Sequence, residues 1–346
     1  MASRVVSAAP SEQVRNLTHM RTPAFEDALL VRLEHAAVDA ARQAGVLVAR
    51  RFGGALEVSD KGKVSGADLV TDVDRASQKL IESLTVGRFP GHMLLGEEDA
   101  PKDAPPAADW VWAVDPIDGT TNFVNGLPVH AVSVAVLHRG KPVAGAVWAP
   151  WPAEGGAGGI FHARIGGGAW FIPAAEQGRG GRRLEIKQPE GDGAPRTGRL
   201  SGLPGGLSWA FHVGKPLQKG IGEPRVSGST AYETAMVAAG VMQFSVSGSG
   251  SHVWDYAATS LLVLEAGGAV FLPDGKGAWT RFEGWRQPYS NEPETMTALR
   301  NWTGPVVMSS PKTAAFLVAN LRPRGPSAWR RVKKALSGPD KAGKKG

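Results

Sequence analysis

Residues Trp110 to Phe123 constrain this chain more than any other stretch. They begin as a short apolar run, Trp110 to Val114, the pattern of a buried strand. The run breaks at Asp115-Pro116, and a second carboxylate, Asp118, follows three residues on, before Gly119-Thr120-Thr121. Pro116 fixes its own φ and offers no N–H, so the turn is stiff and the Ile117 carbonyl is free to point outward. Two carboxylates then sit on one rigid turn at the carboxyl end of a strand, where open α/β sheets place their ligands. Carboxylate and carbonyl oxygens are hard ligands that suit Mg²⁺ better than zinc or copper. The backbone N–H groups of Gly119, Thr120 and Thr121 offer a seat for an anion such as phosphate. The same residues also suit a surface turn, since Asp, Pro and Gly are all turn formers. One rival is excluded. Phosphatases with an aspartyl nucleophile carry Asp-x-Asp-Gly-Thr, and here the two Asp are one residue further apart.

A chain of 346 residues can bury a large core, as one domain or two lobes. It has no cysteine, which excludes disulfides and thiolate metal sites. No apolar run reaches the roughly 18 residues of a membrane helix, so a cytoplasmic protein without membrane contact is expected. The net charge of +7 is unevenly placed: residues 322–346 hold nine Lys/Arg against one acid, leaving 30 against 31 in the rest. The body is near neutral, and the basic character belongs to a flexible tail. Residues 1–22 read as a flexible extension without a signal peptide's apolar core, and Met20 is an alternative start.

Between these ends, residues 23–321 read as one catalytic region of two lobes, joined around the Gly-, Arg- and Pro-rich segment 174–206. Thr22-Pro23 opens a helix whose apolar face runs through Phe25, Leu29, Leu33, Ala36, Ala40, Ala44 and Val48, with Gly53-Gly54 as its stop. Thr71 reads as an N-cap with Asp74 three residues on, which capping alone would explain. Met93-Leu94-Leu95 is a short strand that ends at Gly96-Glu97-Glu98. Val129–Leu137 and Val143–Trp148 form a hairpin about Arg139-Gly140-Lys141. The glycines of 155–168 match no nucleotide-binding pattern and read as turns. Asp255 lies in the first turn of a helix that begins at Trp254-Asp255 and ends at Gly267-Gly268, where a carboxylate is favoured in any case. Val306–Ser309 reads as a last strand and Thr313–Leu321 as a last helix.

Four motifs in this order resemble the metal-dependent inositol monophosphatase family. They are Asp68-Leu69-Val70-Thr71-Asp72-Val73-Asp74, Gly96-Glu97-Glu98, the Asp115–Thr121 stretch, and Trp254-Asp255 with Glu265-Ala266-Gly267-Gly268. The resemblance spans about residues 24 to 320. It implies a layered αβαβα sandwich of the sugar-phosphatase type (an α/β or α+β fold), a homodimer, and lithium sensitivity. It implies two Mg²⁺ ions with a weaker third. Glu97, Asp115 and the Ile117 carbonyl would hold the first, and Asp115, Asp118 and Asp255 the second. Glu97 and Thr120 would orient and deprotonate the attacking water, and Asp74 would polarise Thr120. Substrate contacts would come from Asp118, Gly119, Thr120, Thr121, Ser229, Thr230 and Asp255. Lys63 would approach the outermost metal position.

The expected activity is hydrolysis of a small phosphorylated substrate such as inositol 1-phosphate. Histidinol phosphate, fructose 1,6-bisphosphate and adenosine bisphosphates are alternatives. One departure bears on that choice. Members acting on inositol phosphates carry a Glu seven residues before the late aspartate, and that position here is Gly248, within Ser247–Ser251. A carboxylate that reads ring hydroxyls is therefore missing, and only neighbouring serines are left to substitute. A reading of another class is a nucleic-acid- or RNA-polymerase-associated scaffold that uses the basic tail. Short charged tails are usually just solvated, and no ligand carboxylate is lost, so nucleic acid is the disfavoured partner.

Overall fold

The computed structural model describes residues 27–60, 69–98, 107–151, 158–173, 181–248, 250–274, 277–285 and 295–324. A seven-stranded sheet runs in the order Met93–Gly96, Trp110–Asp118, Ala131–His138, Lys141–Ala149, Gly159–Arg164, Gly168–Pro173, Arg182–Leu184. The first pair is parallel and every later pair antiparallel. Alternation along the strands sorts its two faces. Trp112, Val114, Val132, Val134, Val136 and Trp148 pack on one side against the helices Asp27–Arg51 and Asp72–Leu84. Val111, Ala113, Ala135 and Val147 pack on the other against the helices Thr230–Ala238 and Val253–Glu265.

These two helices also meet a second sheet through Val270 and Met308. That sheet has six strands, in the order Glu223–Arg225, Leu200–Gly202, Met242–Val246, Val307–Ser309, Ala269–Pro273, Trp279–Arg281. Its outer face, with Phe244, Val246 and Val307, is covered by Leu217 and by Ala314 and Leu317 of the helix Pro311–Asn320. The layers therefore alternate helix, sheet, helix, sheet, helix, which is the αβαβα sandwich that the resemblance implies.

Small residues set the spacing of the first layer. Leu33, Ala37, Ala40, Ala44 and Val48 line the buried stripe of Asp27–Arg51. Gly45 lies so close to Trp148 that a Cβ there would stand 2.3 Å from the indole. The same helix is tied to the sheet by Glu34, which accepts from His162 Nδ1 at 2.8 Å and Arg164 Nη1 at 3.0 Å. Burial acts to raise the Glu34 pKa, but the hydrogen bonds and charges of His162 and Arg164 prevail and hold it below 4.5. A carboxylate lowered in this way stabilises the fold above its unfolded pKa and stops doing so as pH falls through the folded value. Glu34→Ala is expected to cost about 1–3 kcal/mol, because it removes the acceptor of two partly buried donors, His162 Nδ1 and Arg164 Nη1. Urea unfolding at pH 7 and below pH 4 measures this. A loss under about 1 kcal/mol at pH 7, of the size of a surface pair, would contradict it.

Several sequence expectations need correction. The central strand does not stop at Pro116 but continues to Asp118 through a shift in register between Asp115 and Asp118. Proline is tolerated at such a bulge because no ladder bond asks for its N–H. The described part of 174–206 is not a structureless connection: it holds the strands Arg182–Leu184 and Leu200–Gly202. The last strand starts at Val307 and the last helix at Pro311, with Ser310 as its N-cap. The hairpin turn is Arg139-Gly140, with φ of 49° and 75°, so Lys141 belongs to the returning strand. The extension 1–22, the Thr22-Pro23 helix start, the Lys63 loop and the tail from residue 325 lie outside the described residues.

Candidate active site

The central bulge is held from below. Ser77 Oγ donates to the Pro116 carbonyl at 3.1 Å, and Ile117 N–H donates to Asp115 Oδ1 at 3.0 Å. Both contacts keep the turn rigid where it leaves the sheet. Gly119 then takes the left-handed conformation, φ 89°, and starts the short helix Thr120–Val124. N–H groups in a helix's first turn have no intrahelical acceptor, so this turn presents donors next to the carboxylates.

Asp74 comes from the start of the helix Asp72–Leu84. Its Oδ2 completes a capping box with Thr71, and its Oδ1 accepts from Thr120 Oγ1 at 3.2 Å. The same Thr120 hydroxyl lies 2.9 Å from the Ile117 carbonyl. One proton therefore faces two acceptors, and the lone pairs of the Thr120 oxygen are left available to a third group. Asp72 faces elsewhere and pairs with Arg51 at 2.7 Å.

Asp115, Asp118 and Asp255 arrive from two distant parts of the chain, and each brings a carboxylate oxygen to within 4.8 Å of the others. Asp115 and Asp118 are buried, and Asp255 is partly so. Burial first, and then the charges of Glu97, Asp118 and Asp255, push the Asp115 carboxyl well above the ordinary carboxylate range. Asp255 moves the same way, through burial and the charges of Asp118 and Glu97. Asp118 is raised to about 6: burial lifts it, and hydrogen bonds from Ser229, Ala231 and Thr230 pull it partly back. Glu97 joins the group through a hydrogen bond with Asp115. Negative charge is concentrated here on oxygen atoms alone, which is the donor set of a hard divalent cation.

Ser229 and Thr230 were expected as substrate contacts, and both hydroxyls have internal partners. Ser229 Oγ donates to Asp118 Oδ2 at 2.6 Å, and Ala231 N–H to the same oxygen at 2.5 Å. Thr230 Oγ1 lies 3.2 Å from Ser251 Oγ. The Ser247 hydroxyl, one candidate substitute for the missing carboxylate at 248, is bonded to Tyr256 OH and to Val306 N–H. Gly248 itself faces Pro204, whose Cβ is 3.6 Å from where a Cβ would stand.

Three contributors were not singled out from sequence. Asn122 Nδ2 donates to both Val129 O and Ser227 O, at 2.7 and 2.8 Å, and so clamps the loop that carries Ser229 onto the central turn. Glu233 accepts from Ser227 Oγ at 2.8 Å and from Ser245 Oγ, and so pins that loop to the second sheet. Arg300 donates to the carbonyl of Gly96, next to Glu97, at 2.7 Å, and its guanidinium lies 5.5 Å from the Trp254 ring, next to Asp255. It thereby bridges two of the acidic motifs. Asn122 and Glu233 stood inside quoted or adjacent motifs, but nothing local announced their partners. Arg300 carried no signal at all.

Known proteins resemble this chain in sequence and fold. Residues 30–302 fit the model of the inositol monophosphatase family. Nus factor SuhB of Escherichia coli K12 is 32% identical over 297 residues, covering 83% of this chain and 94% of that protein. An inositol monophosphatase of Dictyostelium discoideum is 31% identical, covering 72% of this chain and 88% of its own length. Among solved structures, the suhB protein of Bartonella henselae superposes with a TM-score of 0.60 at 26% identity, covering 82% of this chain and 96% of that one. With the matched region spanning most of the described fold, the chain belongs to the inositol monophosphatase family.

Proposed function

We infer that the protein is a Mg²⁺-dependent phosphoric monoester hydrolase that acts on small phosphate monoesters through an activated water. The convergence of Asp115, Asp118 and Asp255 carries this reading, because carboxylates with raised pKa values and oxygen-only donors fit a divalent cation. Asp115, Asp118, Asp255, Glu97 and the Ile117 carbonyl would hold two Mg²⁺ ions, and Asp74 with Glu97 a weaker third. When bound, Mg²⁺ supplies positive charge to the phosphoryl oxygens and acidifies water.

The chain's own residues do the rest. Thr120, oriented by Asp74, accepts a hydrogen bond from the attacking water and fixes its direction. Glu97 takes the water's proton. The first-turn N–H groups of Gly119, Thr120 and Thr121 hold the phosphate oxygens. Ser229 and Ala231 fix the rotamer of Asp118 by hydrogen bonds, as outer partners of metal ligands commonly do. No side chain takes the phosphoryl group. Lithium inhibition, a homodimer and a cytoplasmic location are further expectations that follow from family membership. No described helix is long and apolar enough to cross a membrane.

The test is release of inorganic phosphate, with Mg²⁺ present, from inositol 1-phosphate, glycerol 2-phosphate, histidinol phosphate and fructose 1,6-bisphosphate. Turnover of at least one of them is expected. Turnover of none would sink the reading. A second reading draws on the relatives named Nus factor, and takes the chain as a transcription-associated protein. An intact carboxylate set gives such a scaffold no advantage. Binding to nucleic acid that survives rising salt would favour it.

A further inference from the structure

Asp115 and Asp118 share one rigid bulge, whereas Glu97 and Asp255 come from other parts of the chain and need holds of their own. Glu97 follows directly on the strand Met93–Gly96, and hydrogen bonds grip its backbone on either side. The Gly96 carbonyl accepts from Arg300 Nη2 at 2.7 Å. The Glu97 N–H donates to the Val114 carbonyl at 3.1 Å. The Glu98 N–H donates to Gln78 Oε1 at 3.0 Å. The first two contacts hold opposite ends of one planar peptide unit, so together they fix its rotation. The third fixes the next unit. The Glu97 Cα lies between the two, and this sets the direction in which its side chain leaves the backbone. Of these three contacts, only that of Arg300 has a charged donor. It also comes from outside the first sheet and the helix packed on it.

Arg300 is itself well anchored. It lies in the last turn of the helix Met296–Asn301, whose Met296 and Leu299 are buried. Its guanidinium lies 5.5 Å from the centre of the Trp254 ring, within cation–π range. Its carbonyl lies 3.2 Å from His252 Nδ1, and a carbonyl only accepts, so the imidazole donates to it. His252 stacks on Trp254, with ring centres 4.6 Å apart and planes 7° from parallel. The His252 N–H in turn donates to Asp255 Oδ2 at 2.8 Å. With its side chain, Arg300 thus holds the peptide that carries Glu97. With its backbone, it holds the N-cap residue that orients Asp255.

We propose that Arg300 is a positioning residue for the cation site, which sets the aim of Glu97 and ties it to the Trp254-Asp255 turn. Both carboxylates are then held in place before Mg²⁺ arrives, and less reorganisation is needed when it binds. This rests on the Mg²⁺-dependent reading above and assigns a residue that assembles its site. Partners that orient a metal ligand from outside typically carry about 10- to 100-fold in metal affinity.

The experiment reads Mg²⁺ binding without substrate, from the rise in Tm as Mg²⁺ is added to chelated protein. Arg300→Met keeps an apolar stem beside Trp254 and removes every side-chain donor, and Arg300→Ala removes both. Each donor-free variant that folds is expected to raise the apparent Mg²⁺ Kd by about tenfold or more. Arg300→Lys keeps one charged donor for the Gly96 carbonyl and should stay within about threefold of wild type. Arg164→Ala is the structural control. It removes a guanidinium paired with Glu34, on a strand three places from the central one, about 14 Å away. It should lower Tm in chelated protein and leave the Mg²⁺ Kd as it is. A donor-free variant that binds Mg²⁺ as tightly as wild type overturns the inference. So does an equal loss in Arg164→Ala, or an Arg300→Lys protein as weak as Arg300→Met. In each of these cases the phosphatase reading stands, provided that the wild type binds Mg²⁺ and hydrolyses an ester. Wild-type protein that binds no Mg²⁺ overturns both.

Discussion

Exhaustive chelation is expected to abolish phosphate release, and Mg²⁺ to restore it. The carboxylates themselves predict a second, independent signature. Asp118 titrates near 6 instead of its ordinary 3.8, and burial and mutual repulsion raise Asp115 and Asp255 as well. A carboxylate whose folded pKa is raised stabilises the fold below its unfolded pKa, and that contribution is lost as pH rises through the folded value. For Asp118 the window runs from about 4 to about 6. The chelated protein should therefore lose stability as pH rises through that window. Cation binding requires the ionised carboxylates, so Mg²⁺ should bind more tightly as pH rises and release protons when it binds. At 100-fold above its Kd it adds about 2.7 kcal/mol of stability. The gap in Tm between Mg²⁺-loaded and chelated protein should accordingly widen from pH 5 to pH 7. Scanning calorimetry across that range, with and without EDTA, measures it. A gap that stays constant with pH, or full turnover after chelation, would mean that these groups do not form a cation site.

What could be read from sequence was local. The Thr71–Asp74 capping box spans three residues, and the Gly119 turn lies within one motif, so both were visible as patterns. Distant partners were legible only through the family resemblance, as for Asp74 with Thr120 and Asp255 with Asp115 and Asp118, and others were not legible at all. Ser229 meets Asp118 across 111 positions and Arg300 meets Gly96 across 204, and no short-range pattern encodes either. The second sheet was the least legible part. Its strand Leu200–Gly202 sits among glycines, prolines and arginines that read as loop. It is fixed by neighbours on both sides and by Glu233, whose carboxylate fills the space a side chain at 202 would need. Pro116 misled for a related reason. Its missing N–H does interrupt the ladder, but flanking pairs with the next strand carry the sheet past it.

Gly119→Ala is expected to lower kcat by about 10² or more while the protein stays folded. A glycine at positive φ combines two effects. One is backbone strain. At φ 89° an L-residue pays roughly 1–2 kcal/mol, wherever in the fold it occurs. The other is collision. A Cβ at 119 would stand 2.9 Å from Ser229 Cβ, 3.0 Å from the Val129 carbonyl oxygen and 3.3 Å from that of Gly228. Two of these three are backbone atoms, so relief requires the loop Val226–Ser229 to move away from the turn. That motion pulls Ser229 from Asp118 and shifts the N–H groups of the phosphate seat. A displacement near 1 Å in a positioned site costs about 10²-fold. Gly126 provides the control, with φ of 74° and nothing within 4 Å of where its Cβ would stand. Gly126→Ala should cost comparable backbone strain, read as a similar fall in Tm, and leave kcat within about threefold of wild type. Circular dichroism and kcat at saturating Mg²⁺ for both variants decide the matter. Equal losses of kcat in the two would place the effect in the strained backbone. A Gly119→Ala enzyme with wild-type kcat would show that the loop closing on Gly119 does not position the chemistry.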